Sequence, residues 1–239
     1  MPGVQLKYSK TQVNRAGDLL RAAWTTDDWH GLDMRDVLDA ADLAYHFRSC
    51  HNYPLTKVTM GIRSMVSHES SRVIVGQRFK RFPSIINKLV RYPDMSLSRM
   101  QDIGGCRAIV NNGYEVQKVL RRIRKNWKPP DNRVRDYVKT PAPSGYRGVH
   151  VIVERDERMV EVQLRTPLQH EWAIAVERMG ARTGFDLKSG VGPSEVLDFF
   201  AVASEGMEIE ESGGAPDDSF LSRYDEARRA AAPWMTGGN

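Results

Sequence analysis

The segment from Val160 to Pro167, with the sequence V-E-V-Q-L-R-T-P, constrains the fold more than any other part of the chain. Side chains alternate between the two faces of a strand, so Glu161, Gln163 and Arg165 share one face and aliphatic residues occupy the other. An amphipathic strand with a solvated polar face is the simplest interpretation. A carboxylate, an amide and a guanidinium on one face also suit a site that handles phosphates or a metal ion.

A capped helix is predicted directly after this strand. Thr166 suits the N-cap, Pro167 suits the first helical position, and Gln169 lies three residues after the cap, which is the capping-box pattern. Before the strand, a tight turn at residues 156–157 connects it to another predicted strand over residues 146–155. A strand pair and a capped helix therefore follow one another here.

The other segments alternate between helical and strand patterns. Residues 1–70 are predicted to form a helical N-terminal region, with Asp33 as one N-cap. Residues 71–205 follow a β-α-β-α-β-β-α order and end with a helix over 194–205. Residues 206–239 form a C-terminal tail with one short helix near 222–231. The order predicts an α+β fold in which helices pack on a mixed β-sheet.

Composition and charge restrict the partners. Two cysteines, Cys50 and Cys106, are too few for a disulfide scaffold, so a cytoplasmic protein is expected. No membrane span and no signal peptide are predicted. The net charge of +5 favours an anionic partner such as a nucleotide or a nucleic acid. The cations concentrate in two groups: Arg72, Arg78, Lys80, Arg81, Lys88 and Arg91, and then Lys118, Arg121, Arg122, Arg124, Lys125 and Lys128.

The first group contains a candidate phosphate site. Arg78 and Lys80 lie two apart on a predicted strand, and Ser84 and Lys88 lie four apart on the following helix, so each pair shares a face. Converging cations suit a triphosphate, because guanidinium and ammonium groups both bind phosphate oxygens. A solvated basic edge explains the same residues equally well.

Two carboxylates are candidates for metal binding or catalysis. Asp102 precedes two glycines and Arg107, and its hard oxygen ligands are those that Mg²⁺ with bound phosphates requires. Taken alone, Asp102 is more simply a turn residue beside structural glycines. Glu161, on the strand described first, is the candidate for a general base or a second metal ligand.

A third motif lies at residues 144–150, which read S-G-Y-R-G-V-H. Tyr146, Gly148 and His150 are predicted to share a strand face, where the tyrosine ring could stack on a base. The glycines would allow a ligand to approach the backbone. A core tyrosine beside a turn is the common alternative.

In this order and spacing the motifs resemble the synthetase domain of the RelA/SpoT family, the (p)ppGpp alarmone synthetases, over roughly residues 70–180. The resemblance implies a nucleotidyltransferase-like synthetase domain and a stand-alone small alarmone synthetase. It also implies that the pyrophosphoryl group of ATP moves to a ribose 3′-hydroxyl with release of AMP. The positions concerned are Arg78, Lys80, Ser84, Lys88 and Arg107 for ATP, Asp102 and Glu161 for Mg²⁺ and catalysis, and Tyr146, His150, Gln163 and Arg165 for the acceptor.

The acceptor loop departs from the family pattern. Ala142 stands where a lysine is usual, Ser144 replaces an asparagine, and Gly148 replaces a serine. That lysine would meet the 5′-phosphates of a guanosine nucleotide, so its loss favours the toxic branch, whose members modify the 3′ end of tRNA or make adenosine alarmones. Candidate tRNA contacts are the basic residues 118–128 and Lys7, Lys10, Arg15 and Arg21.

We therefore expect tRNA as the acceptor, with an antitoxin protein as a partner by analogy. GDP or GTP is the close alternative, followed by adenosine alarmone synthesis. A binding module without catalysis is the remote alternative, against which the two intact carboxylates, Asp102 and Glu161, argue. The sequence predicts no oligomeric state.

Overall fold

The computed structural model describes residues 3–26, 31–68 and 73–235. Arg72 and the predicted boundary at residue 70 lie outside these ranges. The chain divides into two compact units, and each consists of three chain segments. The first unit comprises Met1–Ser64, Val75–Arg107 and Val151–Val162, and the second comprises Met65–Ile74, Ala108–His150 and Gln163–Asn239.

Among the described residues, three α-helices precede the first strand and three follow the last one, and the strands form one mixed sheet in the order β1-β2-β5-β4-β3. The strands are β1 (Ile74–Phe79), β2 (Gly104–Ile109), β3 (Val134–Asp136), β4 (Val149–Arg155) and β5 (Arg158–Arg165). The helices are α1 (Lys10–Thr25), α2 (Met34–Ser49), α3 (Asn52–Ser67), α4 (Phe82–Arg91), α5 (Gly113–Trp127), α6 (Pro167–Thr183), α7 (Ser194–Glu211) and α8 (Asp218–Met235). The predicted α+β class is confirmed.

The first unit contains a core where helices α1, α2 and α4 meet. Each helix contributes apolar residues at helical spacing, such as Leu20, Phe47 and Leu89, which are almost completely buried. Asp33 caps α2 as predicted, because its carboxylate accepts a hydrogen bond from the backbone N–H of Arg35 at 2.8 Å. This core supports α4 and with it the segment that carries the predicted phosphate site.

The second unit contains a core in which α6 and α7 pack through aromatic side chains. Trp172 and Phe200 are buried, and the indole N–H of Trp172 donates to the carbonyl of Phe200 at 2.9 Å. The capping box at the start of α6 is confirmed. Thr166 accepts from the backbone N–H of Gln169, and the Gln169 side chain accepts from the backbone N–H of Thr166.

Several elements differ from the sequence-based prediction. Strand β4 begins at Val149 instead of residue 146, because Gly145 and Gly148 have φ values of 80° and 147°, which interrupt a regular strand. Helix α7 continues beyond residue 205, and α8 is longer than the short helix predicted near residues 222–231. Strand β3 was not predicted. In the described ranges, no helix combines the length and the apolarity that a membrane crossing needs.

Candidate functional site

Three neighbouring strands bring the predicted donor residues of the first unit into register. A Cβ atom built on Gly105 of β2 would lie 3.9 Å from the carbonyl oxygens of Arg78 on β1 and Glu161 on β5. Laterally aligned residues of a sheet direct their side chains to the same face. Arg78 and Glu161 therefore share one face, with the small Gly105 between them, and Arg107 follows on that face of β2.

The other face of these strands packs on helices of the same unit. A Cβ atom on Gly104 would lie 3.6 Å from the Leu55 side chain of α3, and the Arg48 guanidinium of α2 lies 4.8 Å from the centroid of the Phe79 ring. One face of the strands is thus occupied by the helical region. The face with Arg78 and Glu161 carries the polar chemistry.

Asp102 lies between two lysines that the sequence placed in the phosphate site. The Lys80 ammonium is 2.9 Å from one carboxylate oxygen of Asp102, and the Lys88 ammonium is 2.9 Å from the other. The backbone N–H of Lys80 donates to the carbonyl of Ile103 at 2.8 Å, which fixes Lys80 beside the residue that follows Asp102. We call these three side chains, Lys80, Lys88 and Asp102, the donor triad.

The carboxylate of the donor triad is ionised at neutral pH. Burial alone would raise the pKa of Asp102, but the charges and hydrogen bonds of Lys80 and Lys88 outweigh it and lower the pKa below its usual value. Two ammonium groups around one carboxylate leave the triad with one net positive charge. Such a group attracts a polyphosphate and retains an oxygen ligand for a metal ion.

Helix α4 places two further groups near the donor triad. Ser84 lies in the first turn of this helix, where backbone N–H groups point outward and favour an anion. Lys88 lies one turn later, four residues away, so it shares the helix face of Ser84. Arg78 is exposed, whereas Arg107 is partly buried. The predicted ATP-binding residues all lie in the first unit.

The carboxylates of the first unit suit a metal ion that arrives with a nucleotide. Over residues 3–26, 31–68 and 73–235, no group of three or more His, Cys, Asp or Glu side chains could hold a metal by itself. Mg²⁺ usually keeps several waters and binds one or two carboxylates together with substrate phosphates. Asp102 and Glu161 provide this number of carboxylates, and their role as ligands of Mg²⁺ stays a prediction.

The predicted acceptor residues form one hydrogen-bonded network in the second unit. Arg165 donates from Nε to the Tyr146 hydroxyl and from Nη2 to Gln163 Oε1, in each case at 3.1 Å. The Tyr146 hydroxyl lies 2.6 Å from His150 Nε2. We call Tyr146, His150, Gln163 and Arg165 the acceptor network.

This network is buried, which the alternating pattern of β5 did not indicate. Arg165 is 1% exposed, Tyr146 4% and Gln163 7%. The end of β5 is therefore covered on its polar face as well as on its aliphatic face. The Arg165 guanidinium donates to the Tyr146 hydroxyl and also lies 5.0 Å from the centroid of the Tyr146 ring. Both contacts restrict the orientation of the tyrosine.

Packing explains why a glycine occupies position 148, where the family pattern has a serine. A Cβ atom on Gly148 would lie 2.8 Å from the Tyr146 hydroxyl oxygen, and the φ value of 147° is unfavourable for other residues. A serine at this position would collide with the tyrosine that it helps to position. The present orientation of Tyr146 therefore depends on the absence of a side chain at Gly148.

A second buried network was missed by the sequence-based reasoning. Arg147 donates from Nε to the Ser204 hydroxyl at 3.0 Å and from Nη2 to the Glu208 carboxylate at 2.5 Å. Ser204 in turn donates to the carbonyl of Gly145 at 2.5 Å. Both partners lie on α7, about sixty residues along the chain from the motif. No local signal could have identified them.

Comparison with known proteins agrees with these motifs. Residues 77–179 match the family model described as the region found in RelA / SpoT proteins. This range includes every predicted donor and acceptor residue, from Arg78 to Arg165. Residues 77–179 are therefore a RelA/SpoT region, as the motifs predicted.

The relatives differ in how much of their length this chain matches. The GTP pyrophosphokinase YwaC of Bacillus subtilis is 28% identical over 194 residues, which cover 75% of this chain and 85% of YwaC. The probable GTP diphosphokinase RSH3 of Arabidopsis thaliana is 32% identical over 98 residues, or 41% of this chain, but the match spans only 14% of that relative. The RelA/SpoT region is therefore shared with both short and long proteins.

A solved structure supports the fold. The small alarmone synthetase 1 of Bacillus subtilis, bound to its product pppGpp, superposes with a TM-score of 0.57 at 23% identity. The superposition covers 68% of this chain and 90% of that structure. The fold of the chain is thus similar to that of this small alarmone synthetase.

Proposed function

We propose that this chain is a RelA/SpoT-type pyrophosphokinase, which transfers the β,γ-pyrophosphate of ATP to the ribose 3′-hydroxyl of GDP or GTP and releases AMP. The observation that carries the donor half of this proposal is Asp102 between Lys80 and Lys88, each at 2.9 Å. The acceptor half is supported by similarity to YwaC, a GTP pyrophosphokinase of which this chain covers 85%.

The donor triad has the chemistry that a polyphosphate needs. In phosphoryl-type transfer the protein mainly positions the reactants and neutralises charge. Lys80 and Lys88 would exchange their contacts with Asp102 for contacts with phosphate oxygens, while Ser84 adds a hydroxyl donor. Mg²⁺, held by Asp102 and Glu161, would supply further neutralisation of the phosphate charge. Arg78 and Arg107 would enclose the adenine between their guanidinium planes.

Glu161 is proposed as the general base. It takes the proton from the 3′-hydroxyl of the acceptor as the 3′-oxygen forms a bond to the β-phosphorus of ATP. The bond between that phosphorus and the bridging oxygen to the α-phosphate breaks, and AMP leaves with the electron pair. Glu161 lies inside β5, so the sheet holds its backbone rigidly for this alignment.

The acceptor network would position Tyr146 for the acceptor base. Arg165 and His150 fix its hydroxyl, and Tyr137 and Trp172 contact its ring at centroid distances of 5.6 and 6.2 Å. Because Arg165 is buried and bonded to Tyr146, we propose that it acts as a positioning residue. His150 and Gln163 remain proposed acceptor contacts.

The tRNA acceptor is the second candidate, favoured by Ala142 and by the basic surface of α5. Residues Arg121, Arg124 and Lys125 of this helix are exposed. By contrast, Arg21 donates to the carbonyls of Leu89 and Met95 within the first unit, so a contact with tRNA would compete with these hydrogen bonds. Neither the family match nor YwaC supports tRNA or an antitoxin partner, so we place the guanosine nucleotide first.

One transfer assay tests the proposal. The protein is incubated with Mg²⁺ and γ-labelled ATP in the presence of GDP, GTP, ATP or deacylated tRNA, and both AMP release and the labelled product are followed. We expect label on GDP or GTP. Label confined to tRNA would contradict the guanosine acceptor, and equal inactivity of the wild type and Asp102→Ala would contradict catalysis.

A further inference from the structure

A lysine outside the matched family region lies beside the acceptor network. Lys188 belongs to a short 3-10 turn, Leu187–Ser189, which follows α6. Its ammonium nitrogen is 6.0 Å from the centroid of the Tyr146 ring. The preceding residue, Leu187, is buried in the aromatic core of the second unit, so the backbone of this turn is anchored there.

Two arginines of the acceptor motifs, Arg147 and Arg165, already bond to protein partners. Arg165 is buried and donates to Tyr146 and Gln163. Arg147 is buried and donates to Ser204, Glu208 and the carbonyl of Val138. Withdrawing either guanidinium from these partners would leave buried polar atoms without hydrogen bonds, which is energetically unfavourable. Neither arginine is therefore suited to bind acceptor phosphates directly.

Lys188 has a partner that it can exchange. Its ammonium lies 3.3 Å from a carboxylate oxygen of Glu177, and the two side chains are 38% and 45% exposed. An exposed ion pair of this kind contributes little stability, because water screens both charges. A phosphate, with up to two negative charges and several acceptor oxygens, can compete with Glu177 for the ammonium.

The acceptor loop itself offers one other lysine. Lys139 is 73% exposed, and its ammonium lies 4.0 Å from Asp136, a carboxylate that also accepts from Gln117 and from the backbone of Val138. The Lys139 ammonium faces Asp136, whereas the Lys188 ammonium lies over the Tyr146 ring. At position 142, the same loop has an alanine.

We infer that Lys188 binds the 5′-phosphates of the acceptor nucleotide and determines the preference for a phosphorylated acceptor. The inference rests on the proposed function, since it requires a nucleotide at Tyr146. In this role Lys188 supplies, from the turn after α6, the positive charge that Ala142 does not supply from the loop. An acceptor with a 5′-diphosphate or triphosphate then binds better than the bare nucleoside.

The test uses isothermal titration calorimetry to compare the binding of GDP and of guanosine to the wild type, Lys188→Ala and Lys188→Arg. The KM values for GDP and ATP are measured for the same three proteins. We expect Lys188→Ala to weaken GDP binding about tenfold or more, because a hydrogen bond to a charged group is lost. Guanosine binding and the KM for ATP should stay unchanged, and Lys188→Arg should recover most of the GDP affinity.

Two further variants separate this role from a structural one. Glu177→Gln removes the partner of Lys188 and should leave GDP binding equal to that of the wild type or tighter. If Glu177→Gln weakened GDP binding as Lys188→Ala does, the pair would be structural and the inference would be overturned. Lys57→Ala, which removes an equal charge from an exposed pair with Asp156, serves as the charge control.

The possible outcomes distinguish the inference from the proposed function. Wild-type transfer to GDP combined with unchanged GDP binding in Lys188→Ala overturns the inference alone. A loss found in Lys139→Ala instead of Lys188→Ala also overturns it, since the phosphate cation would then lie in the loop. A wild type that binds neither GDP nor GTP and transfers label only to another acceptor overturns the proposed function, and the inference with it.

Discussion

The donor triad of the first unit and the acceptor network of the second unit use polar side chains in opposite ways. In the donor triad, Lys80 and Lys88 share a partly exposed Asp102 and can exchange it for a ligand. In the acceptor network, Tyr146 and Arg165 are buried and bonded to each other. The difference suits the donor triad to a charged ligand, whereas the hydrogen bonds of the acceptor network keep its buried side chains in one conformation.

Glu161→Gln is expected to have the largest effect, and it tests whether the first unit also supplies the general base. The substitution keeps the shape of the side chain but removes its basicity, so transfer should fall by about 10²- to 10⁴-fold. ATP binding, measured by calorimetry, should remain. Glu157→Gln, in the exposed turn before the same strand, is the matched control. Activity that persists in Glu161→Gln would remove Glu161 from the proposed mechanism.

Asp102→Asn should have the next largest effect and separates charge from position in the donor triad. The amide keeps the size of the side chain but loses the negative charge that a metal ion requires, so transfer should drop by about 10²- to 10³-fold. Because Lys80 and Lys88 lose their common partner, affinity for ATP without metal should rise or stay equal. A parallel loss of ATP affinity and transfer would contradict the exchange of lysine contacts.

Tyr146→Phe tests whether hydrogen bonds keep the side chains of the acceptor network in one conformation. Removal of the hydroxyl leaves the buried Nε of Arg165 without its acceptor and takes a partner from His150. We expect the free energy of unfolding to fall by about 1–3 kcal/mol, measured by urea denaturation. Tyr146→Phe should also raise the acceptor KM, whereas Arg48→Ala, in the first unit, should leave the acceptor KM unchanged. A fully stable Tyr146→Phe would show that the hydroxyl is not bonded as described.

The pH dependence of the donor triad should give the smallest effect. Because the pKa of Asp102 is lowered in the folded state, its ion pairs contribute stability above the unfolded value of about 3.9 and lose it as the pH falls further. The difference in unfolding free energy between wild type and Asp102→Asn should therefore be constant from neutral pH to about pH 5. It should shrink only below about pH 4. A difference that already changes near pH 6 would require a raised pKa.

The sequence predicted local features well and long-range packing poorly. Thr166 and Asp33 were identified as caps because capping depends on residues three or fewer positions away. The donor residues were predicted from charge and spacing, which define a common face, and their role in binding ATP stays a prediction. The burial of Gln163 and Arg165 was not, since alternation along β5 defines a face without indicating what covers it.

The contacts of α7 show the same limit. Glu208 and Ser204 complete the network around Arg147, but they lie far along the chain, beyond the matched family region. Strand β3 has three residues, too few for an alternating pattern. Such elements are determined by tertiary packing, which a single sequence does not display.

The central claim is that the donor triad serves ATP and the acceptor network serves the acceptor. Its most direct test is the measurement of KM for ATP and for GDP in Lys88→Ala and in Tyr146→Phe under the same conditions. We predict that Lys88→Ala raises the KM for ATP by about tenfold or more and leaves that for GDP unchanged, and that Tyr146→Phe does the reverse. An increase of both KM values to the same extent in each variant would contradict the claim.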